Sequence, residues 1–290
     1  MNDITKATQS KHAGRYFAMF WRAPLLIWQV VFFVVPLFFL VYLSFWVVKN
    51  YRMTPAFDPV NWVKMLSRDY FWSAYGLTLT MAALAAVLVS LLAFPAAYTL
   101  AFKVSATTRR LAVFVLIIPF FTSYLVRIYA WQTLLAENGV INAMFSLLNL
   151  GPFTMLNTPI GTMVGYVALT LPLVVILQTL SLANIDRSLV EAAHNLGCSK
   201  TRTVMTVVIP LAKNGIIIGM VFCFILSFGD FVSPYYLGGS KPPTLSILII
   251  DTTKAGQQWP KAAVVAITMI ATLFIVAIAA VAAAYRRKDA

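Results

Sequence analysis

Charged residues are scarce in this sequence. Of its 290 residues only 11% are Asp, Glu, Lys or Arg, and only nine are acidic, whereas about a quarter of an ordinary soluble domain is charged. Hydrophobic residues make up 61% of the chain. This balance excludes an ordinary soluble domain and predicts a chain that is largely embedded in lipid.

Cysteine and histidine are also rare, with two residues of each. Cys198 falls in a polar loop and Cys223 inside an apolar run, so a disulfide between them is not expected, and neither belongs to a group of residues with metal-ligand spacing. The nucleotide-binding pattern G-x-x-x-x-G-K-S/T is missing, because residues 238–241 (GGSK) lack the upstream glycine. We therefore predict no metal, no cofactor and no nucleotide site in this chain.

Six apolar runs are long enough to cross about 30 Å of hydrocarbon as helices. The polar connections are too short to form a soluble domain, so we predict an all-α, multi-pass membrane protein. Its membrane domain would cover residues 24–285, between tails of residues 1–23 and 286–290. The predicted spans are Pro24–Val48, Leu77–Phe102, Leu111–Leu135, Ile160–Leu182, Gly215–Leu237 and Ala262–Tyr285. Prolines inside four of them predict kinks, at Pro36, Pro95, Pro119 and Pro172.

Lysine and arginine are distributed unevenly along the chain. The two tails, the second loop and the fourth loop hold 14 of these residues, whereas the first, third and fifth loops hold seven. Positively charged segments stay on the cytoplasmic side of an inner membrane, so both termini are predicted to be cytoplasmic. The same rule, together with attraction to anionic lipid headgroups, explains the net charge of +13 without a nucleic acid partner.

A polar, basic segment, Ile185–Pro210, separates the fourth run from the fifth. Asp186 or Ser188 can cap a first short helix, and Glu191 lies three residues after Ser188, as in a capping box. Gly197 is predicted to end that helix with a positive φ angle, because glycine readily adopts the left-handed conformation there.

The rest of this segment predicts a second short helix. Ser199 can cap it, and Pro210 is expected to break it before the next span, because proline lacks the N–H that a continuing helix needs. The segment would thus form two short helices joined by a turn and held just outside the bilayer.

The spacing in this segment resembles a known motif. Glu191-Ala192-Ala193, three residues, Gly197, nine residues and then residues 207–210 (VVIP) resemble the EAA motif of ATP-binding-cassette importer permeases, E-A-A-x3-G-x9-I-x-L-P. Val and Ile replace the motif's Ile and Leu. The resemblance implies that Glu191, Ala192, Ala193, Gly197 and Pro210 form a docking surface for a separate ATPase. The alternative is an ordinary amphipathic loop helix.

Other segments resemble the permeases of spermidine/putrescine importers. They are residues 118–131, residues 138–142 and residues 228–239, the last with Asp230 where that family often has Glu. Gln258 departs from a common Asp. Permeases for opines, aminoethylphosphonate and other small nitrogenous solutes share much of the pattern, so they remain alternatives for the substrate.

The resemblance implies a type I importer permease with several partners. These are a dimer of cytoplasmic ATP-binding subunits, a second homologous permease and an extracytoplasmic substrate-binding protein. ATP would be hydrolysed in the separate subunits, so this chain is not expected to be an enzyme. Alternating access would follow when closure of the ATPase dimer moves the docking helices.

Two ionisable residues lie within predicted spans, Arg127 in the third and Asp230 in the outer half of the fifth. A charge at the bilayer centre costs on the order of 3 kcal/mol on insertion scales, so each is a candidate functional residue. Asp230 and the aromatic rings of Tyr129, Trp131 and Tyr235 could attract a cationic polyamine, whereas Arg127 would suit an anionic group. Arg127 could also extend to the membrane surface, or the two charges could form a structural ion pair.

Two other classes fit the sequence less well. A serine intramembrane protease needs a histidine within the membrane, but His12 and His194 both fall in predicted cytoplasmic segments. An aspartyl protease needs two carboxylates, and Asp230 is the only acid within a predicted span. A secondary transporter would need buried acids or broken helices in paired positions, and no inverted repeat is evident.

Overall fold

The computed structural model describes residue 21 and residues 23–285. The predicted cytoplasmic tail of residues 1–23 lies outside the described residues apart from 21 and 23, and the tail of residues 286–290 lies wholly outside them. The helices are α1 (Ala23–Ser44), α2 (Val60–Leu66), α3 (Asp69–Phe102), α4 (Ala106–Phe121), α5 (Tyr124–Leu135), α6 (Val140–Ser146), α7 (Pro159–Ala183), α8 (Arg187–Asn195), α9 (Lys200–Gly229), α10 (Val232–Tyr236), α11 (Leu245–Lys254) and α12 (Trp259–Tyr285). Strands β1 (Val47–Lys49) and β2 (Arg52–Thr54) form an antiparallel hairpin.

Two compact units can be distinguished by their internal contacts. The first contains the described residues up to 65 together with residues 252–267. In this unit Asn61 is buried, and its Nδ2 donates to the carbonyl oxygens of Ser44, at 2.9 Å, and Trp46, at 2.7 Å. These bonds satisfy the Ser44 carbonyl, at the end of α1, and the Trp46 carbonyl just beyond the helix.

The second unit contains residues 66–251 and 268–285 and is centred on α3, α7 and α9. The buried face of α3 is lined largely by alanine, at Ala82, Ala86, Ala93, Ala97 and Ala101, with spacings that place these residues on one side of the helix. Small residues allow membrane helices to approach closely.

A buried side-chain contact links α3 to α7 within that unit. Gln178 Nε2 donates to Ser90 Oγ, at 2.8 Å, and to the Ser90 carbonyl, at 3.3 Å. A hydrogen bond in a lipid-embedded core stabilises helix pairing modestly, by about 0.6 kcal/mol on average.

Within the described residues, five helices are long and apolar enough to cross a membrane, and a sixth candidate is the pair formed by α4 and the helical stretch Tyr124–Ser146. The two members of this pair are bent by 93°. The six predicted spans are therefore present if the bent pair counts as one. The fold is all-α in its membrane-spanning part, as predicted.

The third predicted span, residues 111–135, is wrong as a single helix. Thr122 adopts an extended backbone conformation, and both its N–H and its hydroxyl donate to the Pro119 carbonyl, at 3.4 and 2.9 Å. A threonine that bonds to the backbone in this way competes with the helix. The chain therefore leaves α4 after Phe121 and starts α5 at Tyr124 in a new direction.

The fifth span also differs from its predicted limits. It was expected over residues 215–237, but α9 runs from Lys200 to Gly229 and the backbone is extended at Asp230. Asp230 thus follows the end of the span. The extra length lies at the other end, where the helix continues through Pro210.

Candidate functional site

The short helix α8 is held at both ends by its own chain. At its start, Asp186 Oδ1 accepts from the Ser188 N–H at 2.9 Å, so Asp186 is the cap. This N–H holds the pKa of the Asp186 carboxyl below its ordinary value. Because Ser188 is not the cap, the predicted capping box with Glu191 is wrong.

Gly197 ends α8 as predicted. Its φ angle is +81°, its N–H donates to the His194 carbonyl at 2.9 Å, and the Cys198 N–H donates to the Ala193 carbonyl at 3.0 Å. This pair of bonds is the Schellman motif, which satisfies the last carbonyl groups of a helix. The predicted cap of the next helix is also confirmed, because Ser199 Oγ accepts from the Arg202 N–H at 3.4 Å.

One side of α8 is attached to the membrane helices. Val190 and Ile185 pack against a buried cluster, and the Arg187 guanidinium donates to the Ala101 carbonyl at 3.5 Å, at the end of α3. Ala193 is buried on the same side. The buried residues of the cluster are Ala97, Ala101, Leu182, Val208 and Ala212.

The other side of α8 is open. Leu189 and Leu196 are 47% and 85% exposed, and Glu191 and Ala192 are exposed beside them. A Cβ atom added at Gly197 would meet no atom within 4 Å. Among the described residues, none forms a hydrogen bond with the Glu191 side chain. We call Leu189, Glu191, Ala192, Leu196 and Gly197 the α8 outer face.

Pro210 does not break the helix, contrary to the prediction. A π-helical turn, Val204–Val208, precedes it, and Pro210 lies in the first turn of the α-helical stretch that begins at Ile209. The proline is tolerated inside the continuing helix because the π-helical turn before it changes the hydrogen-bond pattern where its N–H is missing. The two short helices expected around this segment are thus α8 and the first turns of the long span α9.

Asp230 lies at the opposite end of α9, in a buried polar cluster. It is 8% exposed. Its Oδ1 accepts from the Val232 N–H at 2.8 Å, and its Oδ2 accepts from the Ser233 N–H at 3.1 Å and from the Ser233 hydroxyl at 2.5 Å. The carboxylate therefore holds the first turn of α10.

A second element reaches the same carboxylate. The Tyr124 hydroxyl donates to Asp230 Oδ2 at 2.8 Å and lies 2.5 Å from Ser233 Oγ. Tyr124 begins α5, so the cluster ties the second half of the broken span to α10. We call Tyr124, Asp230 and Ser233 the Asp230 cluster; Tyr124 and Ser233 were not among the predicted site residues.

Arg127 does not form an ion pair with Asp230, and within the described residues its contacts are with α7 and a ring. Its Nη1 donates to the Ala168 carbonyl at 3.3 Å, and the guanidinium carbon lies 5.5 Å from the centre of the Tyr124 ring. Its Nε is buried without a hydrogen-bond partner among these residues. Of the alternatives left open for Arg127, a structural ion pair with Asp230 is therefore not the arrangement observed.

The predicted aromatic residues divide into two groups. Tyr129 and Tyr235 are 51% and 43% exposed, and both contact Tyr236, with ring centres 5.2 and 4.9 Å apart. Trp131 instead packs against a buried cluster that includes Ile128. Tyr129 and Tyr235 therefore keep exposed ring surface, whereas Trp131 lies against a buried cluster.

Asn142 was seen only as part of a resembling segment, and the structure gives it a local role. It is buried; its Nδ2 donates to the Phe153 carbonyl at 3.0 Å, and its Oδ1 accepts from the Phe153 N–H at 2.9 Å. It thereby holds together the loop between α5 and α7. No local pattern in the sequence pairs Asn142 with Phe153, which lies 11 residues further along the chain.

The fold and the two ends of α9 together define a class. The chain is a multi-pass helix bundle. At one end of α9 the short helix α8 has an exposed face, and at the other end the broken span contacts the buried Asp230 cluster. This is the form of a membrane transport subunit.

The chain belongs to the family described as binding-protein-dependent transport system inner membrane component, whose model matches residues 90–288. It is a multi-pass inner-membrane permease, a transport component rather than an enzyme. PotB of Escherichia coli K12, a spermidine/putrescine transport system permease protein, is 31% identical over 247 residues, which cover 83% of this chain and 88% of PotB.

Two solved structures share the fold. A chain of a bacterial ABC transporter that imports the acidic polysaccharide alginate matches 98% of this chain and 100% of its own length, with a TM-score of 0.75 and 18% identity. A bacterial alginate ABC transporter in complex with an alginate pentasaccharide-bound periplasmic protein gives a TM-score of 0.69, also at 18% identity, over 94% of both chains. At this identity the match concerns the fold alone.

Proposed function

We propose that this chain is the permease subunit of an ATP-driven importer for a small polyamine such as spermidine or putrescine. The observation that carries the proposal is the 31% identity to a spermidine/putrescine permease over 83% of the chain. The family's dependence on a binding protein adds an extracytoplasmic partner that delivers the substrate.

The α8 outer face is the proposed docking site for a cytoplasmic ATP-binding subunit. Exposed Leu189 and Leu196 supply apolar area, and Ala192 and Gly197 leave room for a groove of the partner. Glu191 is available for a charge-assisted hydrogen bond across the interface. Two residues of the motif support this face without lying on it. Ala193 is buried on the opposite side of α8, and Pro210 lies at the start of the α-helical part of α9.

ATP hydrolysis is assigned to a dimer of such subunits, since this sequence has no nucleotide-binding pattern of its own. A second, homologous permease would complete the pathway. Because α8 is fixed to α3 by Arg187 and by the cluster around Ala101, movement of the docked ATPase would be transmitted to the membrane helices as a rigid-body change.

The exposed rings of Tyr129 and Tyr235 are the proposed substrate contacts in this chain. An ammonium group within about 6 Å of an aromatic face is attracted by the ring quadrupole, and polyamines carry several such groups. The four hydrogen bonds accepted by Asp230 favour a positioning role for this residue, with substrate contact as the alternative. Arg127, with a buried Nε, is the residue that would favour an anionic substrate instead.

Transport into sealed vesicles tests the function. Right-side-out vesicles that contain the chain, the second permease and the ATP-binding subunits would be loaded with ATP and supplied with the binding protein in the external medium. Ionophores would collapse the ion gradients. We expect uptake of labelled spermidine that needs ATP and is inhibited by putrescine. Uptake that needs an ion gradient but not ATP would point to a secondary transporter. ATP-driven uptake inhibited only by an opine or by aminoethylphosphonate would contradict the polyamine assignment.

Both termini and α8 are placed in the cytoplasm in this proposal, on the basis of the Lys and Arg distribution. In a variant without the native cysteines, Ser199→Cys should resist an impermeant thiol reagent added to intact cells, whereas Asp58→Cys should be labelled. Labelling at position 199 with protection at position 58 would invert the topology.

A further inference from the structure

An apolar groove lies between α9 and α12, away from both ends of the proposed pathway. Its volume is about 200 Å³, below the roughly 300–1,000 Å³ of small-molecule sites. Three of its side chains are well exposed, Ile218 at 39%, Phe222 at 47% and Val281 at 58%. The lining residues are Ile217, Ile218, Val221, Phe222, Ala280, Val281 and Ala284.

The groove is open because the two helices present side chains of different size. Isoleucine, valine and phenylalanine line it from α9, whereas two of the three residues from α12 are alanines. All seven lining residues are apolar, so the groove suits a hydrocarbon chain rather than a polar solute.

A single cation is fixed at one end of the groove. Lys213 lies four residues before Ile217, so the two side chains share a face of α9, with Lys213 nearer to α8. Its Nζ donates to the Ala283 carbonyl at 3.0 Å, and the next residue, Ala284, lines the groove. An ammonium group has three N–H donors, and this bond uses one of them.

No acidic residue in either helix offsets this charge. The sequence of α9 and that of α12 contain neither Asp nor Glu. A basic site between membrane helices on the cytoplasmic side is the pattern that binds anionic lipid headgroups.

We propose that this groove binds one anionic phospholipid, with an acyl chain between α9 and α12 and its phosphate at Lys213. Contact between the phosphate and the two remaining ammonium N–H groups would form charge-assisted hydrogen bonds. A helix of the second permease is the competing occupant, but an apolar helix would gain nothing from a cation at the end of the groove. The charge therefore favours lipid.

Native mass spectrometry of the full chain tests this site. The protein would be incubated in mild detergent with equal amounts of phosphatidylglycerol and phosphatidylcholine that carry the same acyl chains. One lysine near a membrane surface contributes about 1 kcal/mol to binding of anionic lipid, so we expect about fivefold preference for phosphatidylglycerol. Lys213→Gln, which keeps a donor for Ala283, should abolish the preference, and Lys213→Arg should retain it.

Two further variants make the result specific. Lys103→Gln removes a cation that lies over the Tyr98 ring and outside the groove, so the preference should remain. Ala280→Phe should fill the groove and reduce retention of both lipids, with an unchanged melting temperature as the control for folding. The proposal is overturned if Lys213→Gln keeps the preference, if Lys103→Gln loses it equally, or if Ala280→Phe retains lipid normally. It is also overturned if Phe222→Cys cross-links to the second permease in the assembled transporter.

Discussion

The two ends of α9 differ in how fully the chain buries its apolar side chains and pairs its polar groups. At one end, α8 has both helix termini capped internally, yet Leu196 on its outer face is 85% exposed. At the other end, Asp230 is 8% exposed and accepts four hydrogen bonds. The exposed apolar face of α8 can be buried by another protein, whereas the hydrogen bonds of the Asp230 cluster are already made within the chain. Substitutions should therefore affect function at the first end and folding at the second.

The largest effect is expected for Asp230→Ala. It removes the acceptor of two backbone N–H groups and of the hydroxyls of Tyr124 and Ser233, of which one can still donate to the other. Each buried group that is left unsatisfied costs about 1–3 kcal/mol. We expect a strongly lowered melting temperature and poor recovery from the membrane. Tyr124→Phe is the matched control: it removes one donor and leaves the carboxylate with three, so its cost should be about 1 kcal/mol. A stable Asp230→Ala protein that no longer transports would instead assign Asp230 to the substrate.

Gly165→Ala probes the packing of α7 beside the same cluster. A Cβ atom at this position would collide with the Ser233 side chain and lie 3.2 Å from Leu237 Cδ1. Overpacking of this kind costs about 1–3 kcal/mol, which thermal unfolding in detergent would detect. Gly76→Ala in α3 is the control, because nothing lies within 4 Å of its added Cβ. That change should be neutral or stabilise the helix by up to about 1 kcal/mol; equal losses in both variants would contradict the close contact.

At the α8 end, Gly197→Asp should uncouple uptake from ATP hydrolysis while the protein stays in the membrane. Aspartate adds charge and bulk to the outer face, and a loss of about 1.4 kcal/mol at the interface would reduce coupled uptake about tenfold. Gly197→Asn has the same shape without the charge and also tolerates positive φ, so its effect should be smaller. Glu191→Ala should weaken coupling as well. Normal import by Gly197→Asp and Glu191→Ala, with stimulated ATPase activity, would exclude this docking surface.

Asp186→Ala should have the smallest effect. Its folded-state pKa is lowered chiefly by the Ser188 N–H, so the ionised cap stabilises α8 above the ordinary carboxyl pKa of about 3.9 and is lost only as pH falls through the lower folded value. Amide hydrogen exchange in α8 should therefore be slightly faster in the variant than in the unchanged chain. The ratio of the two rates should stay constant between pH 5 and 8, because the Asp186 carboxyl remains ionised over that range. A change in this ratio between pH 5 and 8 would contradict the assignment of ionised Asp186 as the cap of α8.

The features that sequence predicted well depend on bonds between near neighbours. The caps at Asp186 and Ser199 and the turn at Gly197 involve partners within five residues, so the order of residue types is enough to predict them. The apolar runs are predictable for a similar reason, since a span is a local property of composition and length.

The features that the sequence did not predict depend on long-range contacts, or on local hydrogen bonds that compete with a continuous helix. Tyr124 lies 106 residues from Asp230, and no local pattern pairs them. The bend after Phe121 follows from the bonds of Thr122 to Pro119, whereas Pro210 is accommodated by the π-helical turn before it. The sequence predicted a kink at Pro119 and a break at Pro210. The chain bends by 93° close to Pro119 but continues as a helix through Pro210, so the surroundings of each proline decide the outcome.

The most direct measurement concerns Leu196, the most exposed apolar residue of the α8 outer face. In a chain without native cysteines, Leu196→Cys and, as a control, Asp58→Cys would each be labelled in detergent, before and after assembly with the ATP-binding subunits. We expect the cysteine at position 196 to become protected on assembly and the one at position 58 to react equally in both samples. Equal labelling of position 196 in the free and assembled chain would show that the ATPase docks elsewhere.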